Sequence, residues 1–480
     1  MNRLAAVIIP SYIILMVIIM MIVGRKSKST MKEYALGGGG LPWFVTAGTI
    51  VASLVGGGTM IGYVGSYYQY GMQWVWLGFG LSVAILFIAF VTGPRIKNLE
   101  LTSVAEIFVL RYGKNARIIA SLLLMIGDFA VFCGMISSLA KLLSGYVGLS
   151  VQTAMILSVL IFALSTCMGG FKGMAYTDVI QSILIFCGVV IVGVTAFVKA
   201  GGFVGISSLP VKYTNPFAQN IPLWTMVGNV VALMGMQFVS QSVIVQKVNA
   251  TRSSQDAKKA LIVVAICIAI VICGMVGSMG VSARVIFGES IEVADDVIVK
   301  LLGIMPSLLA AIYAAAIAAA VLTTANAMLM SSGLSFTNDV LGVIKPGLKE
   351  KTKVNITRVY VCIAAVLGYI LVQFTPSVIT WILLAYTIQN ALIIPMYAGL
   401  LSKKISTKTG TVSLALSGLG ILGWELAGRP FGLHSLFVGL AAALIAIIVG
   451  VAVDKNGATP EQCAMVEAFR ENRAYHHAAE

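Results

Sequence analysis

The chain has 480 residues, of which 59% are hydrophobic and 10% are charged. Soluble domains carry about 25% charged residues, so this composition excludes an ordinary soluble protein and predicts a membrane protein with several spans. The net charge of +14 would suit a nucleic-acid partner, but the basic residues lie in short segments between apolar runs, so we expect none. Seven cysteines and three histidines form no CxxC motif or Cys/His cluster, which argues against disulfides and a transition-metal site.

Long apolar runs recur from end to end and predict an all-α polytopic membrane protein with thirteen transmembrane helices. The first run is followed by basic residues rather than by a small-residue cleavage site, so we interpret it as a retained span and not as a signal peptide. The predicted spans are residues 5–24, 43–68, 74–93, 117–146, 150–169, 175–199, 221–246, 260–287, 303–336, 357–375, 377–400, 409–428 and 433–453.

The basic residues predict the orientation of these spans. If the N-terminus lies outside, 25 of the 32 Lys and Arg residues fall in cytoplasmic segments, as the positive-inside rule requires. We therefore expect a plasma-membrane protein, bacterial in origin, with its C-terminus in the cytoplasm. Of the outer segments, residues 200–220 have a loop composition, and residues 287–302 carry four acidic residues on a pattern that predicts a short surface helix over an entrance.

Span two contains Gly56, Gly57 and Gly58 in a row, flanked by Ser53 and Thr59. Each glycine costs about 1 kcal/mol relative to Ala in a helix interior, so three together predict an unwound segment. A helix broken inside the membrane exposes carbonyl and N–H groups, with which transporters coordinate ions and solutes. The alternative is a surface of small residues that lets neighbouring helices approach closely.

Charged residues within spans are costly in lipid, which makes each of them a candidate for function. Asp128 lies near the middle of span four, where it is a candidate for cation or proton transfer, or for pairing with Lys141 or a polar group on another helix. Asp178 begins span six, where it either caps the helix or lies on an ion path. Glu425 and Arg429, one turn apart near the end of span twelve, predict a boundary ion pair.

Spans nine and seven carry further polar groups. Span nine is rich in alanine and then presents Thr323, Thr324 and Asn326, whose oxygen atoms suit a small hard cation. Span seven has Gly235 followed by several polar residues, so we expect it to be interrupted like span two, five spans earlier. Matching interruptions in two halves of a chain point to an inverted repeat with a binding site between the halves.

The joint between spans five and six has a glycine pair with a hydrophobic residue, followed by a Thr-Asp-x-x-Gln motif. Other short motifs end spans two and nine, and a Gln-Lys pair follows span seven. On these residues the chain resembles the sodium:solute symporter family. They are Gly169, Gly170, Phe171, Thr177, Asp178 and Gln181, with Tyr68, Gly71, Gln246, Lys247 and Phe336 to Asp339.

The resemblance implies a five-plus-five inverted repeat of the LeuT-like type, with alternating access. The expected units are residues 1–42, the first helix and a cytoplasmic loop; 43–220, the first repeat; 221–408, the second repeat; 409–455, helices twelve and thirteen; and 456–480, a cytoplasmic tail.

The resemblance also implies a sodium site made by the backbone of span two and by span nine. The matching residues are Ala52, Val55, Ala320, Thr323 and Thr324. Some members of the family have a second sodium site; here Asp178 and Asn326 are candidates for it, with Asp128 as a further ion-path candidate.

The solute is expected between the two broken spans. The candidate residues are Thr59, Tyr68, Gln73, Trp74, Gln237 and Gln241. Where the family often has Asp-Gln, this chain has Gln241 and Ser242, which weakens an analogy with sugar transport.

The leading hypothesis is therefore a sodium-coupled symporter that imports a small organic solute by alternating access. An amino acid, a carboxylate, an amine and a neutral metabolite all remain open. Sodium is the only metal expected, as a co-transported ion, and we expect no organic cofactor and no enzymatic activity. The alternative keeps the fold but uses protons, with Asp128 as the carrier. A channel or a membrane sensor is the third hypothesis.

Overall fold

The computed structural model describes residues 3–24, 40–99, 101, 103–239, 242–375, 377–473 and 475. Within these residues the regular structure is helical, and the one β contact is an isolated parallel bridge between Leu41 and Thr251.

The first part of the chain runs to the end of a long helical segment at Lys199. Short π-helical or 3-10 segments connect several of its α-helices and continue them without a loop. The α-helices are α1 (Arg3–Gly24), α2 (Trp43–Leu54), α3 (Val64–Tyr70), α4 (Val75–Phe87), α5 (Gly93–Asn98), α6 (Val104–Tyr112), α7 (Lys114–Leu142) and α8 (Val151–Lys199).

The second part contains the remaining α-helices, which are again linked in places by π-helical or 3-10 turns. They are α9 (Gly202–Ser207), α10 (Val211–Thr214), α11 (Leu223–Val239), α12 (Ser242–Asn249), α13 (Ser254–Ile268), α14 (Gly277–Phe287), α15 (Val297–Gly303), α16 (Ser307–Leu334), α17 (Gly342–Ile344), α18 (Glu350–Val372), α19 (Val378–Gln389), α20 (Ile393–Leu401), α21 (Thr407–Leu426), α22 (Ser435–Val453) and α23 (Pro460–Glu471).

Nine helical segments of the described residues are long and apolar enough to cross a membrane. Shorter apolar helices lie at Val7–Met20, Trp43–Leu54 and Leu223–Gly235. The prediction of an all-α membrane protein is thus confirmed, whereas the number of thirteen spans stays a prediction. The interruption predicted in span seven stays a prediction, because residues 240 and 241, between α11 and α12, lie outside the described residues.

The segment α8 holds two predicted spans, and its contacts show that it is not straight. Ser165 hydrogen-bonds Asn326 of α16, and a Cβ atom at Gly188 would meet Ala316 of the same helix. On α16 these partners are ten residues apart, a rise of about 15 Å, whereas a straight helix would separate Ser165 from Gly188 by about 34 Å. The segment is therefore bent, and its two arms, Val151–Met168 and Met174–Lys199, are separate candidate spans that both contact α16.

The central helix is α16, whose alanine-rich surface is buried between α7 and both arms of α8. Small side chains let these helices approach closely, which favours dispersion contacts where lipid offers no hydrophobic gain on helix association. The helix α7 runs the length of the bundle, with Arg117 near one end and Lys141 near the other. We therefore call the two ends of the bundle the Arg117 end and the Lys141 end.

Ion pairs join neighbouring segments at both ends of the bundle. At one end Arg117 lies 2.7 Å from Asp339, which follows α16. At the other end Lys141 lies 3.3 Å from Asp295, whose carboxylate also accepts a hydrogen bond from the first N–H of α19, at Val378. The boundary pair predicted in span twelve is present between Glu425 and Arg429, with N and O atoms 2.9 Å apart.

The two longer connecting segments are more helical than their composition indicates. Residues 200–220 include the short helices α9 and α10 as well as irregular turns. Residues 287–302 contain a 3-10 turn, Ala294–Asp296, followed by α15, and the apolar side chains Val297, Ile298 and Leu301 are buried against the bundle. The predicted short helix is therefore present, and it packs over the Lys141 end.

Candidate functional site

Span two is broken at its three glycines. The helix α2 ends at Leu54, and Val55 has φ −89° and ψ 65°, outside the helical range. Helical structure resumes as a π-helix at Gly58–Tyr63. Among the described residues, the N–H groups of Gly56 and Gly57 donate to no backbone carbonyl outside the helices. The break thus interrupts the backbone hydrogen bonding of span two in the middle of the bundle.

The same glycines also bring three helices against the break. An added Cβ would lie 2.4 Å from Oγ1 of Thr324 at Gly56, 2.3 Å from Oγ of Ser138 at Gly57, and 2.1 Å from Cδ1 of Ile382 at Gly58. These neighbours belong to α16, α7 and α19. Unwinding and close packing were alternatives for this stretch on sequence alone, and the structure combines them.

Three of the five predicted sodium-site residues are joined by hydrogen bonds, and a fourth bonds a neighbouring residue of α2. Oγ1 of Thr323 donates to the carbonyl oxygens of Ala52, at 2.7 Å, and Ala320, at 3.0 Å. The next hydroxyl, on Thr324, donates to the carbonyl oxygen of Ser53 at 3.1 Å. Val55 is buried directly after the end of α2. Two hydroxyls and several carbonyls on two helices form the kind of uncharged oxygen cluster that binds a hard cation.

A small cavity lies beside the break, with a volume of about 30 Å³. This volume holds a water molecule or two, so a solute has to move some of the lining side chains. No Asp, Glu, Lys, Arg or His is among its described lining residues. They are Ser53, Leu54, Gly56, Gly58, Thr59, Tyr63, Leu81, Val131, Met135, Gln237, Thr324, Met328, Ile382 and Tyr386.

Two tyrosines, Tyr63 and Tyr386, line the cavity. The ring of Trp74 packs edge-on against Tyr63, with 5.8 Å between ring centroids, and stacks on Tyr70 at 5.9 Å. The aromatic cluster therefore extends from Tyr63, in the cavity lining, to Trp74 and Tyr70.

The solute candidates separate into two groups. Thr59 and Gln237 line the cavity. Gln73 instead exchanges two hydrogen bonds with the backbone of Ile221, and Tyr68 donates to the carbonyl oxygen of Gly288 at 2.8 Å. These two side chains thus fasten loops at the Lys141 end.

Trp74 reaches the cavity through Tyr63 and does not line it. The sixth candidate, Gln241, lies outside the described residues.

The three ion-path candidates lie in different places. Oδ1 of Asp128 accepts a hydrogen bond from the side-chain amide of Gln389 at 2.8 Å, so its partner is a polar group of α19. Lys141, the other partner considered for it, pairs with Asp295 instead.

Asn326 turns away from the threonine pair. Its side-chain oxygen accepts hydrogen bonds from Ser165, at 2.7 Å, and Thr166, at 3.0 Å, both on the first arm of α8. Its oxygen atom is therefore engaged with α8 and not with the residues of the sodium candidate.

Asp178 is buried and pairs with Lys247 of α12, with 3.4 Å between Oδ2 and Nζ. Both residues line a second cavity of about 20 Å³ that Thr323 also reaches. Reasoning from sequence missed Lys247, because it was counted among the basic residues of a cytoplasmic loop. Its place in the Gln246-Lys247 motif was the available signal.

Comparisons with known proteins agree with this architecture. The model of the sodium:solute symporter family matches residues 34–418. The sodium/pantothenate symporter of Haemophilus influenzae is 26% identical, over 89% of this chain and 91% of the relative. The osmoregulated proline transporter OpuE of Bacillus subtilis is 23% identical, over 90% and 92%. Both are bacterial transporters, and with the apolar helices they support a plasma-membrane location.

Among solved structures, a Na⁺-coupled sialic acid symporter in a substrate-bound outward-open state has a TM-score of 0.82 to this chain, at 20% identity. The alignment covers 95% of this chain and 98% of that one. Mhp1, a nucleobase-cation-symport-1 family transporter, has a TM-score of 0.58 at 16% identity, over 93% and 98%. These likenesses confirm the LeuT-like fold class. Because the family model covers most of the sequence, the chain belongs to the sodium:solute symporter family.

Proposed function

We propose that this sodium-coupled symporter imports a small carboxylate or zwitterion, bound in the cavity beside Gly56–Gly58. The observation that carries the proposal is the polarity of that cavity. Its described lining has hydroxyl and amide groups but no ionised side chain, and it adjoins the N–H groups of Gly56 and Gly57 at the break. Backbone N–H groups at the start of a helical segment attract anions.

The adjacent sodium candidate strengthens this preference. Thr324 contributes to both places, because its hydroxyl bonds the carbonyl of Ser53 and its side chain lines the cavity. A sodium ion held by Ala52, Val55, Ala320, Thr323 and Thr324 would place a positive charge beside the solute. A carboxylate gains from that charge, whereas an amine without a carboxylate is repelled.

Transport then follows from the broken helix. Sodium ties α2 to α16 and so stabilises one arrangement of the two repeats, residues 43–220 and 221–408. Its departure frees the solute at the opposite side. With the N-terminus outside, the Arg117 end faces the cytoplasm, and entry of one sodium ion contributes roughly 2.3 kcal/mol per 100 mV of membrane potential. We also propose that the N-terminus lies outside, that residues 43–220 and 221–408 are inverted repeats, and that the protein is not an enzyme.

The solutes named for similar transporters indicate which compounds to test first. Pantothenate, proline and sialic acid are named for similar transporters. The experiment measures thermal unfolding of the purified protein in NaCl or KCl with matched pairs of ligands, each carboxylate beside its amide. We expect at least one carboxylate to raise Tm in NaCl and not in KCl, and its amide to have no effect. An amide that stabilises as much as its carboxylate overturns the proposed solute class.

A variant of the cavity supplies a second test. Gln237→Glu replaces a lining amide by a carboxylate of almost equal size. We expect the affinity for the carboxylate to fall about tenfold or more, since like charges repel in a site shielded from water. Gln237→Leu is the control that removes polarity without adding charge. Equal loss in both variants would contradict the electrostatic argument.

A further inference from the structure

Lys247 places an ammonium group deep inside the bundle. Its side chain is 4% exposed, and Nζ donates hydrogen bonds to the carbonyl oxygen of Thr49 and to Oγ of Ser53, both on α2. The carboxylate of Asp178, on the second arm of α8, lies 3.4 Å away. The ammonium group is therefore shared between the broken span and a single acidic partner.

The two partners on α2 belong to the turn that carries the sodium candidate. Ala52 lies between Thr49 and Ser53, and its carbonyl oxygen contacts the hydroxyl of Thr323. Three residues of an α-helix rise about 4.5 Å, so the ammonium and a sodium ion at Ala52 would be close neighbours. Ser53 joins them directly, because its hydroxyl bonds Lys247 and its carbonyl oxygen bonds Thr324.

A cavity connects the same groups. Its volume is about 20 Å³, and Thr323, Asp178 and Lys247 all line it. It lies on the α12 side of the threonine pair. The ammonium thus stands beside the space that adjoins the Thr323 hydroxyl.

A sodium ion and an ammonium group bind the same kinds of oxygen atom. A lysine head group is a compact cation with donors and no acceptor, so it seeks carbonyl, hydroxyl and carboxylate oxygens. Among the described residues the carboxylate of Asp178 balances the lysine, and a bound sodium would add a second positive charge beside it. Repulsion between the two cations favours a geometry in which the ammonium leaves α2 for Asp178.

We propose that Lys247 is a tethered cation that competes with sodium for α2 and thereby sets the sodium affinity and promotes sodium release. This inference rests on the proposed sodium site. With sodium bound, the ammonium moves to Asp178 and gives up Thr49 and Ser53. When sodium leaves, the ammonium returns to Thr49 and Ser53 of α2. Lys247 is thus a positioning and affinity-setting residue and not a sodium ligand.

The test compares sodium binding in four proteins: wild type, Lys247→Met, Asp178→Asn and the double variant. The half-saturating sodium concentration is measured from thermal protection by NaCl at constant ionic strength, with choline chloride as the replacement salt. Lys247→Met should lower this concentration about tenfold, and Asp178→Asn should raise it about tenfold, the factor that about 1.4 kcal/mol produces. Lys247→Arg, which keeps the charge, should stay within about threefold of wild type.

The double variant keeps the test decisive if Lys247→Met fails to fold with an unpaired buried carboxylate. Compared with Asp178→Asn, the double variant should bind sodium at least tenfold more tightly, because the competing ammonium is gone while the amide that replaces the carboxylate carries no charge. A merely structural ion pair would lower Tm in the single variants without shifting sodium affinity in opposite directions, and that result overturns the inference. Wild-type protein that shows no sodium protection would instead overturn the proposed sodium site.

Discussion

The break in span two predicts that a single methyl group at Gly56 disturbs sodium binding. The Cβ atom of Gly56→Ala would lie 2.4 Å from Oγ1, 3.0 Å from Cβ and 3.1 Å from Cγ2 of Thr324. Comfortable contacts between such atoms are about 3.5–4.0 Å, so α2 and α16 must separate by roughly 1 Å. The separated helices include the carbonyl groups and hydroxyls of the sodium candidate.

The magnitude follows from two costs. Overpacking in a well-packed interior costs about 1–3 kcal/mol. The hydrogen bond from Thr324 to the carbonyl of Ser53 lengthens, which removes about 1 kcal/mol. Alanine brings no compensating helix propensity here, because Gly56 lies between α2 and the π-helix. We therefore expect a loss of about 2–4 kcal/mol in stability, and a rise of at least tenfold in the half-saturating sodium concentration, which corresponds to about 1.4 kcal/mol.

Gly62→Ala is the matched control on the same span. Its added Cβ would meet Ile379 at 3.5 Å or more, which is ordinary van der Waals contact. Both variants are purified and unfolded thermally over a series of NaCl concentrations, because a ligand that binds the folded state raises stability by RT ln(1 + [L]/Kd). Gly62→Ala should unfold like wild type and keep its sodium protection.

A second substitution distinguishes the effect of the added methyl group on helix packing from its effect on sodium binding. In Gly56→Ala combined with Thr324→Ala, the added methyl no longer meets Oγ1 or Cγ2, so we expect Tm to recover most of the loss while sodium protection stays weak. If Gly56→Ala matches Gly62→Ala in both Tm and sodium protection, the argument that Gly56 holds α2 against α16 is refuted.

Other variants test the remaining contacts. Thr323→Ala should raise the half-saturating sodium concentration about tenfold, while Thr323→Ser, which keeps the oxygen near Ala52, should stay within about threefold; equal effects would contradict the ligand role. Asp128→Asn should lower Tm, since the bond from Gln389 loses its charge, yet leave sodium protection unchanged; altered sodium affinity would instead place Asp128 on the ion path. Cys167 and Cys362, whose sulfur atoms are 3.9 Å apart, should form a disulfide under copper phenanthroline, detected by mass spectrometry of non-reduced peptides; two free thiols would contradict the packing of α8 on α18.

Several features of the site follow from local sequence. Three consecutive glycines within an apolar run predicted an interrupted helix, and the interruption lies at Val55 to Gly57. Two adjacent hydroxyls in span nine were candidates on sequence alone, and Thr323 and Thr324 bond different carbonyl groups of α2. These features depend on residues close together in the chain, where helix propensity and the angle between successive side chains decide the outcome.

Other side chains show the limits of that reasoning. Gln73 and Tyr68 were solute candidates because they follow the break, yet their hydrogen bonds go to loops around Ile221 and Gly288. Lys247 was counted as a loop residue and is buried against α2. Its contacts with α2 and Asp178 join positions far apart in the chain, so no local pattern indicates them.

The sequence by itself determined the membrane class, most span positions and the location of the break, because hydropathy and glycine content act locally on the backbone. Only the tertiary structure decided which polar groups meet. In a soluble helix the buried face is the apolar one, but a membrane span is apolar towards lipid as well as towards its neighbours. Helix packing alone therefore brings Thr323 to Ala52 and Lys247 to Asp178.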